Sequence, residues 1–380
     1  MSDPVSARPA ICLNMIVRNE AHVIREALDS VAPYISWWVI VDTGSDDGTQ
    51  DVIRNHMAGL GIPGELYEQP WRNFGYNRTE ALALARGHGD YIWVIDADDT
   101  VVGTPDFTQL SADLYMLRYR GRIAMYWRPQ FFRDGLRWRY EGVVHEGPVC
   151  DDPYVEAHLE GEYHIEYRQL GDRSRDTQKW ARDTELLLPE VERNPEDIRS
   201  MFYLAMSYMN ARDYVNAHKW FARYVEIENS GENAYLAMYW SAESMVQLGE
   251  PWPDVQDAYL RAWEFRPTRA EPLYAIARRY RIDGHYRLGY LFAERAAEIP
   301  FPEEVGSVSE DVYGWRATDE QAICASRIGK HPKAFALCRG LLARPDIPDD
   351  ARQRIAGNRD FSVPTMLDAA SSYPEVLVGD

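Results

Sequence analysis

Cysteine is scarce in this chain, lysine is far scarcer than arginine, and long apolar runs are missing. The four cysteines, Cys12, Cys150, Cys324 and Cys338, include no pair at zinc-ligand or redox spacing. Buried thiols rather than disulfides are therefore expected, which suits a reducing compartment. No stretch approaches the ~20 apolar residues that span a bilayer. Residues 1–10 lack the basic-then-apolar pattern of a secretory signal. The expectation is a cytoplasmic protein with no transmembrane segment, in which the sequon Asn77-Arg78-Thr79 is a chance match. Positive charge is also in deficit: 41 basic against 60 acidic residues give a net charge of −19. A generic DNA or RNA surface needs a basic footprint, so nucleic acid is a poor partner.

What is present is an ordinary globular apolar fraction, 46% of 380 residues, enough for two or three domains. Twelve Trp and 24 Tyr can serve as core or as sugar platforms, and the core reading is the stronger. Residues 10–16, 37–41, 66–68 and 91–95 read as strands. Residues 19–31, 50–60 and 79–86 carry helical apolar stripes between them. That alternation predicts an α/β, doubly wound, mostly parallel sheet. Residues 114–120, 123–132 and 136–140 read as further strands, with turns at Arg122 and at Asp134-Gly135, forming a small antiparallel or mixed addition.

From about Thr177 the chain reads as helices. Ala205, Ser241 and Ala277 lie 36 residues apart, as do Tyr208, Ser244 and Tyr280, in segments closing near Pro267 and Pro300. Small residues at one site and aromatics at the next let paired helices approach, so an all-α, tetratricopeptide-like repeat domain is expected. The predicted organisation is a sheet domain over 1–170, a helical repeat domain over 171–362 and a tail over 363–380. The segment 171–176 is either a loop closing over the site or a linker.

Acidic residues sit where such sheets bind ligands, beyond the carboxyl ends of strands. Asp42 follows the second strand, and Asp96, Asp98 and Asp99 follow a later one. Two carboxylates one residue apart can share a hard divalent cation that bridges a diphosphate. Three motifs stand in order: Asn14-Met15-Ile16-Val17-Arg18-Asn19-Glu20, Val41-Asp42-Thr43-Gly44-Ser45-Asp46-Asp47-Gly48-Thr49, and Asp96-Ala97-Asp98-Asp99. Over roughly residues 10–150 the chain resembles a family 2 glycosyltransferase of the GT-A (Rossmann-like) fold. The resemblance implies that Asp42 contacts the nucleotide base and Asp96 lies near the ribose. It implies that Asp98, in the DxD motif, holds Mg²⁺ or Mn²⁺ on the diphosphate. It also places Asn19 and Glu20 beside the nucleotide. Phe74-Gly75-Tyr76-Asn77-Arg78 matches the family's aromatic, small residue and Arg before the DxD strand. Arg78 either forks onto the diphosphate or pairs with a site aspartate.

An inverting transfer needs a base to take the acceptor proton. Tyr140-Glu141-Gly142-Val143-Val144-His145-Glu146 offers three ionisable groups and resembles the Gly-x-x-His-Glu element of family members with helical repeats. Glu146 is the expected base, Glu141 the reserve, and His145 a metal or diphosphate ligand. His164, His218 and His285 read as isolated structural or surface residues. The leading expectation is metal-dependent, inverting transfer of a hexose from a nucleotide-diphosphate sugar, with UDP-glucose the default donor by resemblance. Repeat arrays offer concave surfaces, which favours a peptide or protein acceptor. A lipid-linked saccharide is second and modified DNA third. The rival class is a non-catalytic repeat scaffold with a degenerate transferase domain. A nucleotidyltransferase ranks low, because no glycine cluster follows the first strand.

Overall fold

The computed structural model describes residues 8–121, 125–302 and 308–371, with side chains through 368. The chain divides into two compact units, residues 1–211 and 212–380. In the first, β1 (Ile11–Val17), β2 (Trp37–Asp42), β3 (Gly64–Glu68) and β4 (Tyr91–Val94) alternate with α1 (Ile24–Val31), α2 (Thr49–Leu60) and α3 (Phe74–Ala85). Then come β5 (Thr100–Gly103), β6 (Leu114–Arg120), β7 (Met125–Arg133), β8 (Trp138–Glu141), β9 (Gly147–Cys150), β10 (Glu156–His158) and β11 (Tyr163–Glu166). Three helices close the unit: α4 (Asp172–Arg175), α5 (Lys179–Arg193) and α6 (Ile198–Asn210).

Among the described residues the main sheet runs β3-β2-β1-β4-β7-β6-β11-β5, with β10 on β6, and β8 pairs β9 separately. β1, β2, β3 and β4 are mutually parallel, whereas β7 is antiparallel to both β4 and β6. This is the expected parallel sheet with its mixed addition. The expected turn at Arg122 lies outside the described residues.

Strand alternation builds two cores. Leu13, Met15, Trp93 and Phe131 face Ile24, Leu28, Ile53 and Met57 of α1 and α2. Cys12, Val39, Ile92 and Phe132 face Leu82 and Ala85 of α3 and Trp138 of β8. Each such fully buried apolar side chain contributes about 1.5–3 kcal/mol relative to exposure. Helix α3 starts five residues earlier than its apolar stripe, because the Asn73 side chain caps it by accepting from the Tyr76 amide at 2.8 Å. Asn77 of the sequon is fully buried, with its amide spent on Pro70 O and its carbonyl on the Arg72 amide.

The second unit contains α7 (Tyr214–Ile227), α8 (Gly231–Leu248), α9 (Trp252–Phe265), α10 (Glu271–Ile282), α11 (Tyr286–Glu298), α12 (Ala317–Arg327), α13 (His331–Leu342) and α14 (Asp349–Ser371). Each packs on its sequence neighbour, and α10 also touches α12 as α12 touches α14. That is the stacking of a tetratricopeptide-like array. Of the 36-residue series, Ala277 is fully buried, while half-buried Ser241 meets the His218 ring at 2.9 Å. Gly289 of α11 is a close-approach site, where a Cβ would lie 2.8 Å from Cys324 Sγ. Cys12, Cys150, Cys324 and Cys338 are all free thiols, three of them buried. Among the described residues no helix is long and apolar enough to cross a membrane.

Candidate functional site

Because β1, β2 and β4 are parallel, the loops that follow them emerge at one end of the sheet. Asp42 ends β2 and is buried. Its Oδ1 accepts from the Gly44 and Ser45 amides at 2.9 Å and from Gln50 Nε2 at 3.1 Å. Its Oδ2 is equally buried and has no partner. The two neighbouring loops are laced together. Asn19, at φ +56°, donates its amide to Ser45 Oγ and accepts from the Asp46 amide. The Glu20 amide reaches Thr49 Oγ1 at 2.8 Å.

A chain of ion pairs runs beside this. The buried Arg78 guanidinium gives Nη2 to Asp96 Oδ1 and Nε to Glu146 Oε1, both at 2.6 Å. Arg128 reaches Asp96 Oδ2 at 3.5 Å. Burial alone would raise the Asp96 carboxyl, but the two guanidiniums outweigh it and hold the group at about 2. Asp99 has the opposite fate. It is fully buried with both oxygens unpartnered, and burial followed by the neighbouring Asp96 charge pushes it up to about 8. Of the two readings open for Arg78, pairing with a site aspartate is the one seen.

Asp98 meets the chain that follows β11. Its Oδ2 accepts from the Leu170 amide at 2.8 Å and the Gly171 amide at 2.9 Å, and its carbonyl accepts from Arg168 Nε at 2.7 Å. The Asp172 amide donates to Glu20 Oε1 at 3.2 Å, while Glu20 Oε2 is buried without a partner. A Cβ on Gly171 would sit 3.0 Å from Glu20 Oε1 and 3.3 Å from Asp98 Oδ2, so this backbone lies directly on both carboxylates. Burial, with Asp98 nearby, pushes the Glu20 carboxyl up to about 8. The segment 171–176 thus strap-ties two site residues and forms α4.

His145 lies in the turn that joins β8 to β9, and Glu141 is the last residue of β8. The His145 ring stacks on Tyr203 of α6 with centroids 4.2 Å apart and planes 8° apart, and Trp180 of α5 lies beyond at 6.4 Å. Its backbone is left-handed, at φ +52°, and Arg199 donates to its carbonyl. Burial drives the imidazole down to about 4, and the charges around it are Asp183, Arg173, Arg199 and Lys179 rather than Asp96 or Asp98. Among the described residues no three His, Cys, Asp or Glu side chains converge as a metal cage. Glu141 is exposed and pairs with Arg139 at 2.6 Å. The structure therefore joins Arg78, Asp96 and Glu146, and separately joins Glu20 with Asp98.

Residues 12–148, the stretch that holds these motifs, match the model of glycosyl transferase family 2. They are a family 2 glycosyltransferase domain. The SPbeta prophage-derived glycosyltransferase SunS of Bacillus subtilis is 27% identical over 158 residues, covering 38% of this chain and 36% of that protein. A TPR repeat-containing protein of Synechococcus elongatus is 33% identical over 110 residues, covering 29% of this chain and 25% of its own length. The chain thus spans about a third or less of these curated relatives. Among solved structures, MamA aligns with 54% of this chain and 99% of its own at 14% identity, with a TM-score of 0.34.

Two residues near the candidate site, Arg128 and Arg168, escape sequence reasoning, and two more, Asn14 and Gly171, lie in segments singled out there without a role of their own. Asn14, buried mid-strand in β1, donates to Val39 O and to Ala81 O, tying β1 to β2 and α3. Arg128 in β7 and Arg168 after β11 reach the Asp96–Asp99 turn. Gly171 lies on Glu20 and Asp98. The available signal was an Asn or Arg set within or just after an apolar strand, where a partner must exist.

Proposed function

We propose that this chain transfers a hexosyl group from a nucleoside diphosphate sugar to an acceptor, with inversion at the anomeric carbon. The observation that carries the reading is the buried, unpartnered Asp42 Oδ2 at the end of β2. An ionised carboxylate only accepts hydrogen bonds, so it selects a base that presents an N–H at its edge, as uracil does. Leaving it unsatisfied costs about 1–3 kcal/mol, which ligand binding would recover. UDP-glucose is the donor we assign, with Asn19 and Glu20 bordering the nucleotide and Asp96 at the ribose.

A divalent cation suits the oxygen donors present. Mg²⁺ and Mn²⁺ in such sites take one or two carboxylates plus substrate phosphates rather than a protein cage. Asp98 would hold it, and Glu20 Oε2, which with Asp98 lies against Gly171, is an orphaned acceptor beside it. When bound, the metal neutralises charge on the departing diphosphate. We take His145 as a positioning residue rather than a metal ligand, because the charged groups around it are Asp183, Arg173, Arg199 and Lys179 and not Asp96 or Asp98. Glu146 is the base in this reading. The acceptor oxygen attacks the anomeric carbon, the bond to the diphosphate breaks, and the nucleoside diphosphate leaves with that electron pair. The acceptor proton passes to Glu146. Arg78, bonded to both Glu146 and Asp96, fixes the distance between the donor and acceptor sides. The transferase unit runs through α6 in this reading, the array after it is the repeat domain, and the acceptor is a peptide or protein.

Calorimetric titration of the full chain with UDP is expected to show binding that requires Mn²⁺ or Mg²⁺. Failure to bind any nucleoside diphosphate would overturn the enzyme reading. Asp98→Ala is expected to abolish hydrolysis of the donor sugar, and full retained activity would remove Asp98 from the site.

A further inference from the structure

The connection from β11 to α5 buries little of its own. Leu170 is 46% exposed, and Gln169, Asp172, Arg173, Ser174 and Arg175 are exposed as well. Apolar burial therefore does not dictate its path, and polar contacts do. They fall on two residues of the candidate site. The Leu170 and Gly171 amides both donate to Asp98 Oδ2, and the Asp172 amide donates to Glu20 Oε1. The peptide between Leu170 and Gly171 is pinned at both ends, because His22 Nε2 donates to the Leu170 carbonyl at 2.9 Å. Gln169 bends through left-handed backbone, at φ +55°, just before these three amides.

Both carboxylates divide their oxygens in the same way. A carboxylate oxygen offers two lone pairs to donors, so the two amides fill Asp98 Oδ2. Asp98 Oδ1 accepts no hydrogen bond among the described residues, and Glu20 Oε2 is buried with no partner. Each side chain thus has one oxygen committed to backbone and one left over. Gly171 makes this possible. Its backbone, at φ −62° and ψ 162°, is open to any residue, so the glycine is there for space. Glu20 Oε1, Glu20 Oε2 and Asp98 Oδ2 all lie within 3.3 Å of the point where a Cβ would stand. Carboxylates that hold a metal are themselves held by hydrogen bonds, which orient the oxygen left for the ion.

We propose that the backbone of Leu170, Gly171 and Asp172 is the positioning element of the cation site, and that it makes Glu20 the second carboxylate beside Asp98. The proposal rests on the cation assigned above to Asp98. Asp96, the other carboxylate of Asp96-Ala97-Asp98, is spent on Arg78 and Arg128 and is not the partner. Glu20 arrives instead from the loop after β1. The Asp172 amide holds its Oε1 and leaves Oε2 for the ion.

Asp172 is the first residue of α4 and follows Gly171 in extended backbone, so proline fits there without a change of path. Asp172→Pro deletes the amide that holds Glu20, whereas Asp172→Ala keeps it, and both lack the side-chain carboxylate. Mn²⁺ binding to the full chain in the presence of UDP is read by electron paramagnetic resonance of the free ion. Asp172→Pro is expected to bind Mn²⁺ at least about tenfold more weakly than Asp172→Ala, the loss usual when a ligand's hydrogen-bond partner is removed. The two variants are expected to melt together in EDTA, which a purely structural loss would not allow. Gly171→Ala, whose Cβ pushes the backbone off both carboxylates, is expected to weaken Mn²⁺ to a similar degree against the parent, and it decides alone if proline unfolds the chain. Equal Mn²⁺ affinity in the proline and alanine variants, or parent-like affinity in Gly171→Ala, overturns the proposal and leaves the cation reading intact. A parent chain that binds no Mn²⁺ overturns the cation reading and the proposal with it.

Discussion

Asp99 has no hydrogen-bond partner for either carboxylate oxygen and stands next to Asp96 and Asp98, so at neutral pH it carries a proton in the folded chain. The unfolded chain releases that proton near pH 4. Stability from this group is complete below about pH 4 and is lost as pH rises through about 8. Asp99→Asn mimics the neutral acid. In EDTA it is expected to melt higher than the parent at pH 9, with the difference vanishing near pH 4.5, read by differential scanning fluorimetry. Arg78 shows the reverse case. Arg78→Ala leaves Glu146 without its cation and Asp96 with Arg128 alone at 3.5 Å, and is expected to cost about 3–5 kcal/mol in urea unfolding, as for other buried pairs cut on one side. Asp42, Asp96 and Asp98 were legible in the sequence because a carboxylate after an apolar strand has a fixed location. Arg128 and Arg168 were not, because their partners are 32 and 70 residues away and only the strand order β4-β7-β6-β11 brings them together.

Helix α3 and the turn after β8 touch through glycine. A Cβ on Gly75 would come within 2.3 Å of the Gly142 carbonyl oxygen, and the Gly75 amide donates to that same oxygen. This explains the small residue in Phe74-Gly75-Tyr76. Gly75→Ala is expected to force the turn away, destabilising the fold by about 1–3 kcal/mol and loosening the Arg78–Glu146 pair. A denaturant midpoint close to the parent's would contradict it. The same turn carries His145, which stays neutral in the fold down to about 4, while an unfolded histidine protonates near 6.5. Its contribution is thus complete above pH 6.5 and is lost as pH falls to about 4, by up to about 3 kcal/mol at ~1.4 kcal/mol per unit. Glu20 and Asp99 slope the other way over part of this range, so the comparison is with His145→Asn. Asn tolerates the left-handed backbone, and its melting temperature is expected to fall less steeply between pH 6.5 and 4.5. At this scale the continuous apolar strands β1, β2 and β4 were readable. Strands β5, β9, β10 and β11 have three or four residues each, too few for a period to show.

The boundary between the compact units at 211/212 puts α5 and α6 with the sheet, where Trp180, Arg199 and Tyr203 hold His145. A chain ending at 211 is therefore expected to keep native-like nucleotide binding and cooperative unfolding. One ending at 177 loses the stack under the turn and is expected to bind dye as a partly open state. Circular dichroism melts of the two separate these outcomes. The two-part layout itself was readable from the change in periodicity after Thr177. The place where one unit stops was not, because α5 and α6 are amphipathic helices like those that follow, and only their partners distinguish them.

The turn that bears Glu146 hangs on a separate two-stranded ribbon, β8 with β9, fastened by the Phe74 amide to Val143 O and by Thr79 Oγ1 to the Tyr140 backbone. The carboxylates at Asp96–Asp99 are set instead by β4, inside the large sheet, and by the antiparallel pair β5 and β11 at its edge. Substitutions along the exposed edge of the ribbon, as at Glu141, leave the register of β2, which ends at Asp42, and of β4, which leads to Asp98, unchanged. Chemistry at the ribbon's outer edge can therefore vary while the strand ladder that places the carboxylates stays fixed.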